Sequence, residues 1–199
     1  SLDIPAVEKV KLTNALQTAS DELVAIQVSL KKENKASQAA IFGAHQELLS
    51  DPALVNEAAA LLEAGKTAAF AWDKAITTHA ERLAKLNNEL MASRANDLRD
   101  VGRRVLRLLS GGAKTSWSAE HSEVILIAEN LTPSDTVQLD REKVVGFCTS
   151  TGGATSHVAI LARSLGIPAI AGINQRALTI EDGTEVILDG DLGEIRLNP

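Results

Sequence analysis

The hydrophobic period of this chain of 199 residues changes once, near Gly111 and Gly112, and that change demands two architectures in succession. Up to about Leu109, apolar residues return every three or four positions, the spacing of one buried stripe along a helix. From Ala6 to about Lys32 the stripe runs through Val10, Ala15, Leu16, Ala19, Leu23, Ile26 and Leu30. Asn34 and Ser37 interrupt it, and Ser37 is a candidate cap for a second helix through Ala40, Ile41, His45, Leu48 and Leu49. Ser50-Asp51-Pro52 gives a cap followed by proline at the first helical position, opening a third helix through Leu54, Ala58, Leu61 and Leu62 to Gly65. The stretch from Thr67 to about Leu109 is long for one globular helix, so a kink or break is expected near Ser93 or Asn96. Residues 1–113 are therefore expected to form an all-helical bundle with short connections.

Beyond the glycines the pattern shortens. Glu123–Ala128 and Val144–Thr149 are β-rich apolar runs, and Pro168–Ala171 begins a third. Thr132-Pro133-Ser134-Asp135 looks like the cap and first turn of a short helix. Ser156 to Leu165 has helical spacing and stops at Gly166. Thr184–Leu188, Asp189-Gly190 and Glu194–Leu197 fit a terminal hairpin. Strand–helix alternation makes residues 114–199 an α/β domain.

Charge follows the same division. The net charge is −6. Residues 1–113 carry equal numbers of acidic and basic side chains, so the whole excess lies in residues 114–199. That balance argues against a general nucleic-acid binder. No run approaches the roughly 20 apolar residues of a membrane-spanning helix, and the N-terminus is unlike a signal peptide. A single cysteine, Cys148, excludes an internal disulfide framework, and a reducing cytoplasm is the expected location. The sequence opens at Ser1 without methionine, which reads as a piece of something longer.

Chemistry is expected in Thr149-Ser150-Thr151-Gly152-Gly153-Ala154-Thr155-Ser156-His157. A strand ends there, Gly152 and Gly153 allow a tight turn, and His157 falls in the first turn of the next helix. Unpaired N–H groups and the positive end of the helix dipole gather at such a point and suit an anion such as phosphate. The same positive end disfavours imidazolium, and neutral imidazole is the nucleophilic form. Thr155 and Ser156 add hydroxyl donors. A glycine turn before a helix with a satisfied surface histidine has the same local pattern. No second ligand lies at metal spacing from His157, and the glycine pair matches neither a Walker A nor a dinucleotide fingerprint.

The run Gly152-Gly153-Ala154-Thr155-Ser156-His157-Val158-Ala159-Ile160-Leu161-Ala162-Arg163-Ser164-Leu165-Gly166-Ile167-Pro168-Ala169-Ile170 closely resembles the phosphohistidine signature of phosphoenolpyruvate-utilising enzymes. Phe42–Pro52, Arg94–Arg104 and Leu131–Thr136 resemble enzyme I of the bacterial sugar phosphotransferase system. The resemblance covers nearly the whole chain. It implies an α/β phosphohistidine (swivelling) domain with an inserted all-α helical-bundle subdomain. His157 would be phosphorylated on Nε2, with Thr136 hydrogen-bonding it. The bundle would dock the histidine phosphocarrier HPr through His45, Leu48, Asp51, Leu54 and Arg94. A phosphotransferase follows, one that holds no cofactor in this stretch. Mg2+ and phosphoenolpyruvate would belong to a C-terminal barrel that these residues do not include, so phosphoenolpyruvate alone is not expected to phosphorylate them. A monomer is expected, because the family dimerises through the barrel.

Ala36, Ser37, Pro52 and Ala53 stand where the family often has acidic residues for a basic carrier. A fused chain with a tethered carrier tolerates weak docking, so the enzyme I-like module of the dihydroxyacetone kinase phosphotransfer subunit is one alternative. The swivelling domain of a phosphoenolpyruvate synthase or dikinase is another, and it leaves the helical insert unexplained. A pure interaction module with a silent histidine is a third.

Other residues have plainer readings. By itself His45 reads as a partly exposed helix histidine, and Leu48 and Leu54 as core or docking residues. Arg99, Arg103, Arg104 and Arg107, interleaved with Asp97 and Asp100, read as a solvated salt-bridged face. Arg163, six residues past His157, faces roughly away from it. His79 and His121 read as surface, Cys148 as buried and inert, and Trp72 and Trp117 as core or junction residues.

Overall fold

The computed structural model describes residues 4–86, 88–111, 123–137, 139, 142–153 and 156–199, excluding the His157 side chain. Gly112, Trp117, His121 and Thr155 lie outside the described residues. The chain divides into two compact units, Ser1–Thr115 and Ser116–Pro199.

The first unit holds five helices: α1 (Ile4–Lys32), α2 (Ala36–Leu49), α3 (Pro52–Glu63), α4 (Ala68–Ala84) and α5 (Glu89–Leu109). Helix α1 buries Leu12, Ala15, Ala19, Leu23 and Leu30, so most of the expected stripe faces the core, while Val10 is exposed and Leu12 takes its place. Small residues let the others approach closely. Helix α4 buries Ala68, Ala71, Ala75 and Ala80 around Trp72 and Ile76. At Gly102 of α5 an added Cβ would lie 2.7 Å from Cγ2 of Ile76. Fully buried Trp72, Phe42, Leu23 and Leu54 anchor the core, each large side chain contributing about 1.5–3 kcal/mol by leaving water.

Local chemistry sets the helix ends, and at two places they differ from the sequence expectation. Asn34 takes a left-handed φ of 59° and stops α1. Helix α2 then begins at once behind Lys35, which makes no side-chain cap, so Ser37 lies inside the first turn and caps nothing. The break expected near Ser93 or Asn96 falls earlier, between α4 and α5. Asn88 supplies its reason, because its Oδ1 accepts from the Leu90 N–H at 2.8 Å and starts a new helix. Asp51 caps α3 through the Ala53 N–H at 2.8 Å, with Pro52 next. Thr67 caps α4, and Glu8 of α1 adds a second acceptor for its first turn, on the Ala68 N–H at 2.7 Å.

The second unit has β1 (Val124–Ala128), α6 (Pro133–Val137), β2 (Val144–Thr149), α7 (His157–Leu165), β3 (Ala169–Ala171) and the hairpin strands β4 (Val186–Asp189) and β5 (Glu194–Leu197). A 3-10 turn spans Gln175–Thr179. Strands β1, β2 and β3 form a parallel sheet with β2 central. Central position explains why β2 is a nearly unbroken buried run. Phe147 of β2 packs with Val158, Leu161 and Ala162 of α7 and with Leu131, Leu139 and Val144. The hairpin β4–β5 is antiparallel, its turn held by Asp189, whose Oδ1 accepts from the Asp191 and Leu192 N–H groups at 3.1 and 2.9 Å. Helical bundle and parallel α/β unit together give the fold class the period change demanded.

Candidate functional site

In the second unit the register aligns three strand ends: Ala128, Thr149 and Ala171 are paired neighbours. A segment leaving β2 therefore starts from the carboxyl edge of the sheet, where ligands of open α/β sheets gather. The flanking strands hold it. Ser150 and Thr151 donate their N–H groups to the carbonyls of Ala128 and Glu129 at 3.2 and 3.0 Å, and Thr151 Oγ1 donates to Glu129 O at 2.8 Å. On the other side Ile173 N–H donates to Thr149 O at 3.0 Å. Gly152 has φ +94°, a conformation that side chains rarely adopt, so glycine is needed here. At Gly153 an added Cβ would meet nothing within 4 Å, which leaves the backbone open to an approaching group.

Ser156 turns the chain into α7. Its N–H donates to Gly153 O at 2.9 Å, and its Oγ caps the helix by accepting from the Ala159 N–H at 3.4 Å. His157 is the first helical residue, so its own N–H and that of Val158 have no acceptor within the helix. Thr136 lies on α6, which packs against α7. It is buried, and its hydroxyl donates to Pro133 O at 2.6 Å, leaving the oxygen lone pairs able to accept. Thr149 opens the segment in which the sequence places chemistry but has no role of its own there; its buried Oγ1 has no hydrogen-bond partner among the described residues. Its place at the last residue of β2, one step before the loop, was the available signal.

Two neighbours stand apart. Cys148 is fully buried, and desolvation pushes its thiol up to about 11, which suits an inert residue. Arg163 lines a separate cleft of about 930 Å3 between α7, β3 and the hairpin turn.

The first unit carries a groove of about 680 Å3. Asp51 and Pro52 at the start of α3, and Leu48 and Glu47 of α2, form one wall. His79, Arg82 and Leu83 of α4 form another, with Arg94 and Asp97 of α5. Leu54 and Leu98, both buried, also line it. Leu48, Asp51, Leu54 and Arg94 thus come together in one groove.

His45 does not join them at the surface. It is 1% exposed, its Nε2 lies 3.1 Å from Asp97 Oδ1, and its Nδ1 lies 3.7 Å from Asp100 Oδ2. Its ring meets Phe42 edge-on at 5.7 Å. The partly exposed reading is corrected: Phe42, His45 and Leu49 share the buried face of α2, and carboxylates from α5 make burial of an imidazole tolerable. His45 thereby fixes Asp97 in the groove wall.

The arginine face is corrected in part: Arg99 and Arg103 are exposed as expected, but Arg104 is buried and the ion-pair partners differ. Asp97 and Asp100 face His45, while Arg104 and Arg107 reach across to Glu22 of α1, Arg104 at 2.6 Å and Arg107 at 2.7 and 2.9 Å. Burial pushes the Glu22 carboxyl up, but its bonds to Arg107 and Arg104 outweigh that and hold it below the usual range. His79, read as a surface residue without neighbours, has Nε2 2.8 Å from Glu57 Oε2. Among the described residues no cluster of acids, histidines or cysteines could hold a metal ion, and no helix is long and apolar enough to cross a membrane.

Comparison with known proteins bears on both units. Residues 1–94 match the N-terminal domain of PEP-utilising enzymes, and residues 120–193 match their mobile domain. A multiphosphoryl transfer protein of Rhodobacter capsulatus is 44% identical over 93% of the chain, which spans 22% of that protein. A phosphoenolpyruvate-protein phosphotransferase of Haloferax volcanii is 40% identical over 95% of the chain, which spans 33% of it. The solution structure of an Enzyme I protein superposes with a TM-score of 0.68 at 39% identity, covering 98% of this chain and 79% of that one. A structure described as the N-terminal domain of a nitrogen Enzyme 1 gives 0.61 at 32% identity. With a helical N-terminal domain followed by a mobile domain, and with this fold shared with Enzyme I, the chain belongs to the phosphoenolpyruvate-utilising enzyme family, as an N-terminal part of the enzyme I type.

Proposed function

We propose that His157 is reversibly phosphorylated and exchanges the phosphoryl group with a histidine of an HPr-like carrier. The observation that carries this reading is the position of His157 at the first residue of α7, at the end of a loop anchored by two strand ends and opened by Gly152. In transfer, the Nε2 lone pair attacks phosphorus while the carrier's N–P bond breaks, in line, and the carrier imidazole takes back the electron pair. The unpaired N–H groups of the first turn, with the hydroxyls of Ser156 and Thr155, stabilise charge on the phosphoryl oxygens. Thr136, whose hydroxyl proton is already given to Pro133 O, acts on the imidazole as an acceptor. An acceptor for Nδ1–H selects the tautomer whose Nε2 is free to react.

The helical groove is the docking surface for the carrier, through Leu48, Leu54, Asp51 and Arg94, with His45 supporting Asp97 from beneath. These residues need no cofactor of their own. Phosphoenolpyruvate as the ultimate donor, Mg2+, sugar uptake as the destination and a cytoplasmic setting belong to the longer protein this chain resembles. Identity of 44% to a multiphosphoryl transfer protein favours a second form of the same reading, in which the carrier is tethered in one polypeptide. Tethering raises effective concentration and lets a weak groove suffice.

The test is to mix the chain, labelled with nitrogen-15 in histidine, with phosphorylated carrier and follow the imidazole nitrogens by NMR. Phosphorylation at Nε2 of His157 is expected. Phosphorylation at Nδ1 contradicts the role given to Thr136, and an unchanged His157 contradicts the function.

A further inference from the structure

The groove of the helical unit holds charges of both signs, and most of the negative ones are already engaged. Asp51 accepts the Ala53 N–H of its own helix. Asp97 faces His45 at 3.1 Å. Glu57, behind the wall, holds His79 at 2.8 Å. Arg82 and Arg94 are different. Both are exposed, both line the groove, and neither has an ion pair or hydrogen bond among the described residues.

Their proximity follows from the fold. Arg82 is in the last turn of α4 and Arg94 in the second turn of α5, and the connection from Ala84 to Glu89 places both at the same end of that helix pair. On the opposite wall Glu47 of α2 is exposed and likewise without an ion-pair partner among the described residues. Leu48, Leu83 and Pro52 supply apolar surface between the two. The groove is therefore bipolar, with two unanswered guanidiniums along α4 and α5 and one unanswered carboxylate along α2.

We propose that this groove selects a carrier whose docking strip bears a carboxylate opposite Arg82 and Arg94 and a cation opposite Glu47, flanking an apolar centre, with Arg82 as the specificity-determining residue. This rests on the groove being the docking surface. A purely basic carrier would meet Arg82 and Arg94 with like charge, and such juxtaposition suppresses wrong partners. Exposed pairs at a rim add little to affinity, so selection acts chiefly on the association rate and its dependence on salt.

The experiment uses one histidine phosphocarrier with carboxylates beside its apolar docking patch, and a second version with those carboxylates changed to amides. Association rates are measured by stopped flow at low and high salt for the unaltered chain, Arg82→Gln and Arg82→Glu, while amide shifts of the labelled chain report where the carrier sits. The expected result is a loss of about tenfold in association rate for Arg82→Glu at low salt, shrinking at high salt. The amide version of the carrier should lose rate against the unaltered chain and be indifferent to Arg82→Gln. Equal rates for all three chains, with shifts still centred on Leu48, Asp51 and Leu83, would overturn the charge selection and leave docking standing. Shifts absent from the groove while His157 still becomes phosphorylated would overturn the docking reading, and this inference with it.

Discussion

The two units place their chemistry in opposite ways. In the α/β unit the loop residues and His157 occupy consecutive positions between β2 and α7, and Thr136 is added from a helix that packs on α7. In the helical unit the groove draws on four helices, and the bundle that carries it is tied by contacts between distant positions. His45 meets Asp97 from 52 residues away, and Arg104 meets Glu22 from 82. A reactive centre needs atoms fixed to a fraction of an ångström, and a short loop pinned by strand ends supplies that locally. A docking surface needs shape and charge over a wide area, which only packed helices present.

If docking depends on the buried network, removing His45 should damage it without touching the loop. His45→Ala leaves Asp97 and Asp100 without the imidazole that faces them, and it should cost about 3 kcal/mol of stability. Denaturant titration reads that loss, and carrier binding should weaken with it. Unchanged carrier binding would separate the network from the groove. Gly102→Ala comes next. Its Cβ would press on Ile76 at 2.7 Å, so α4 and α5 must move apart, at about 1–3 kcal/mol, read as a lower unfolding midpoint.

The smallest effect is in acid. Glu8 is held below the ordinary glutamate value of 4.5, first by the Ala68 N–H and then by Lys11. A carboxyl with a lowered value in the folded state binds fewer protons there than in the unfolded chain, so its contribution is present above pH 4.5 and lost as pH falls through the folded value. Glu8→Gln should flatten that part of the stability profile, measured by denaturation between about pH 3 and pH 6. A profile as steep as the unaltered chain's would remove Glu8 from the account.

The same contrast decides what the sequence makes legible. The Asp51-Pro52 start of α3 and the glycine turn before His157 are local chemistry, and each stands in the structure where its residues alone place it. The burial of His45 is not legible locally, because an imidazole reads as polar until its partners on α5 are brought to it. Its spacing from Phe42 and Leu49, on the buried stripe, was the signal. For Arg104 and Arg107 the sequence offers Asp97 and Asp100 of the same helix as neighbours, whereas packing gives them Glu22 of α1. The break before α5 was hidden because the apolar period continues across it, and only the capping chemistry of Asn88 marks it. Thr136 was legible through family resemblance, since nothing local joins α6 to the helix of His157.

The central claim is that one histidine, His157, carries the phosphoryl group. The direct measurement is the intact mass of the chain after incubation with phosphorylated carrier, beside the same measurement on His157→Ala. The account predicts a single added phosphoryl group that is lost in acid and absent from the variant, while the variant still binds the carrier. A phosphoryl group retained by His157→Ala, or none gained by the unaltered chain despite carrier bound in the groove, would contradict it.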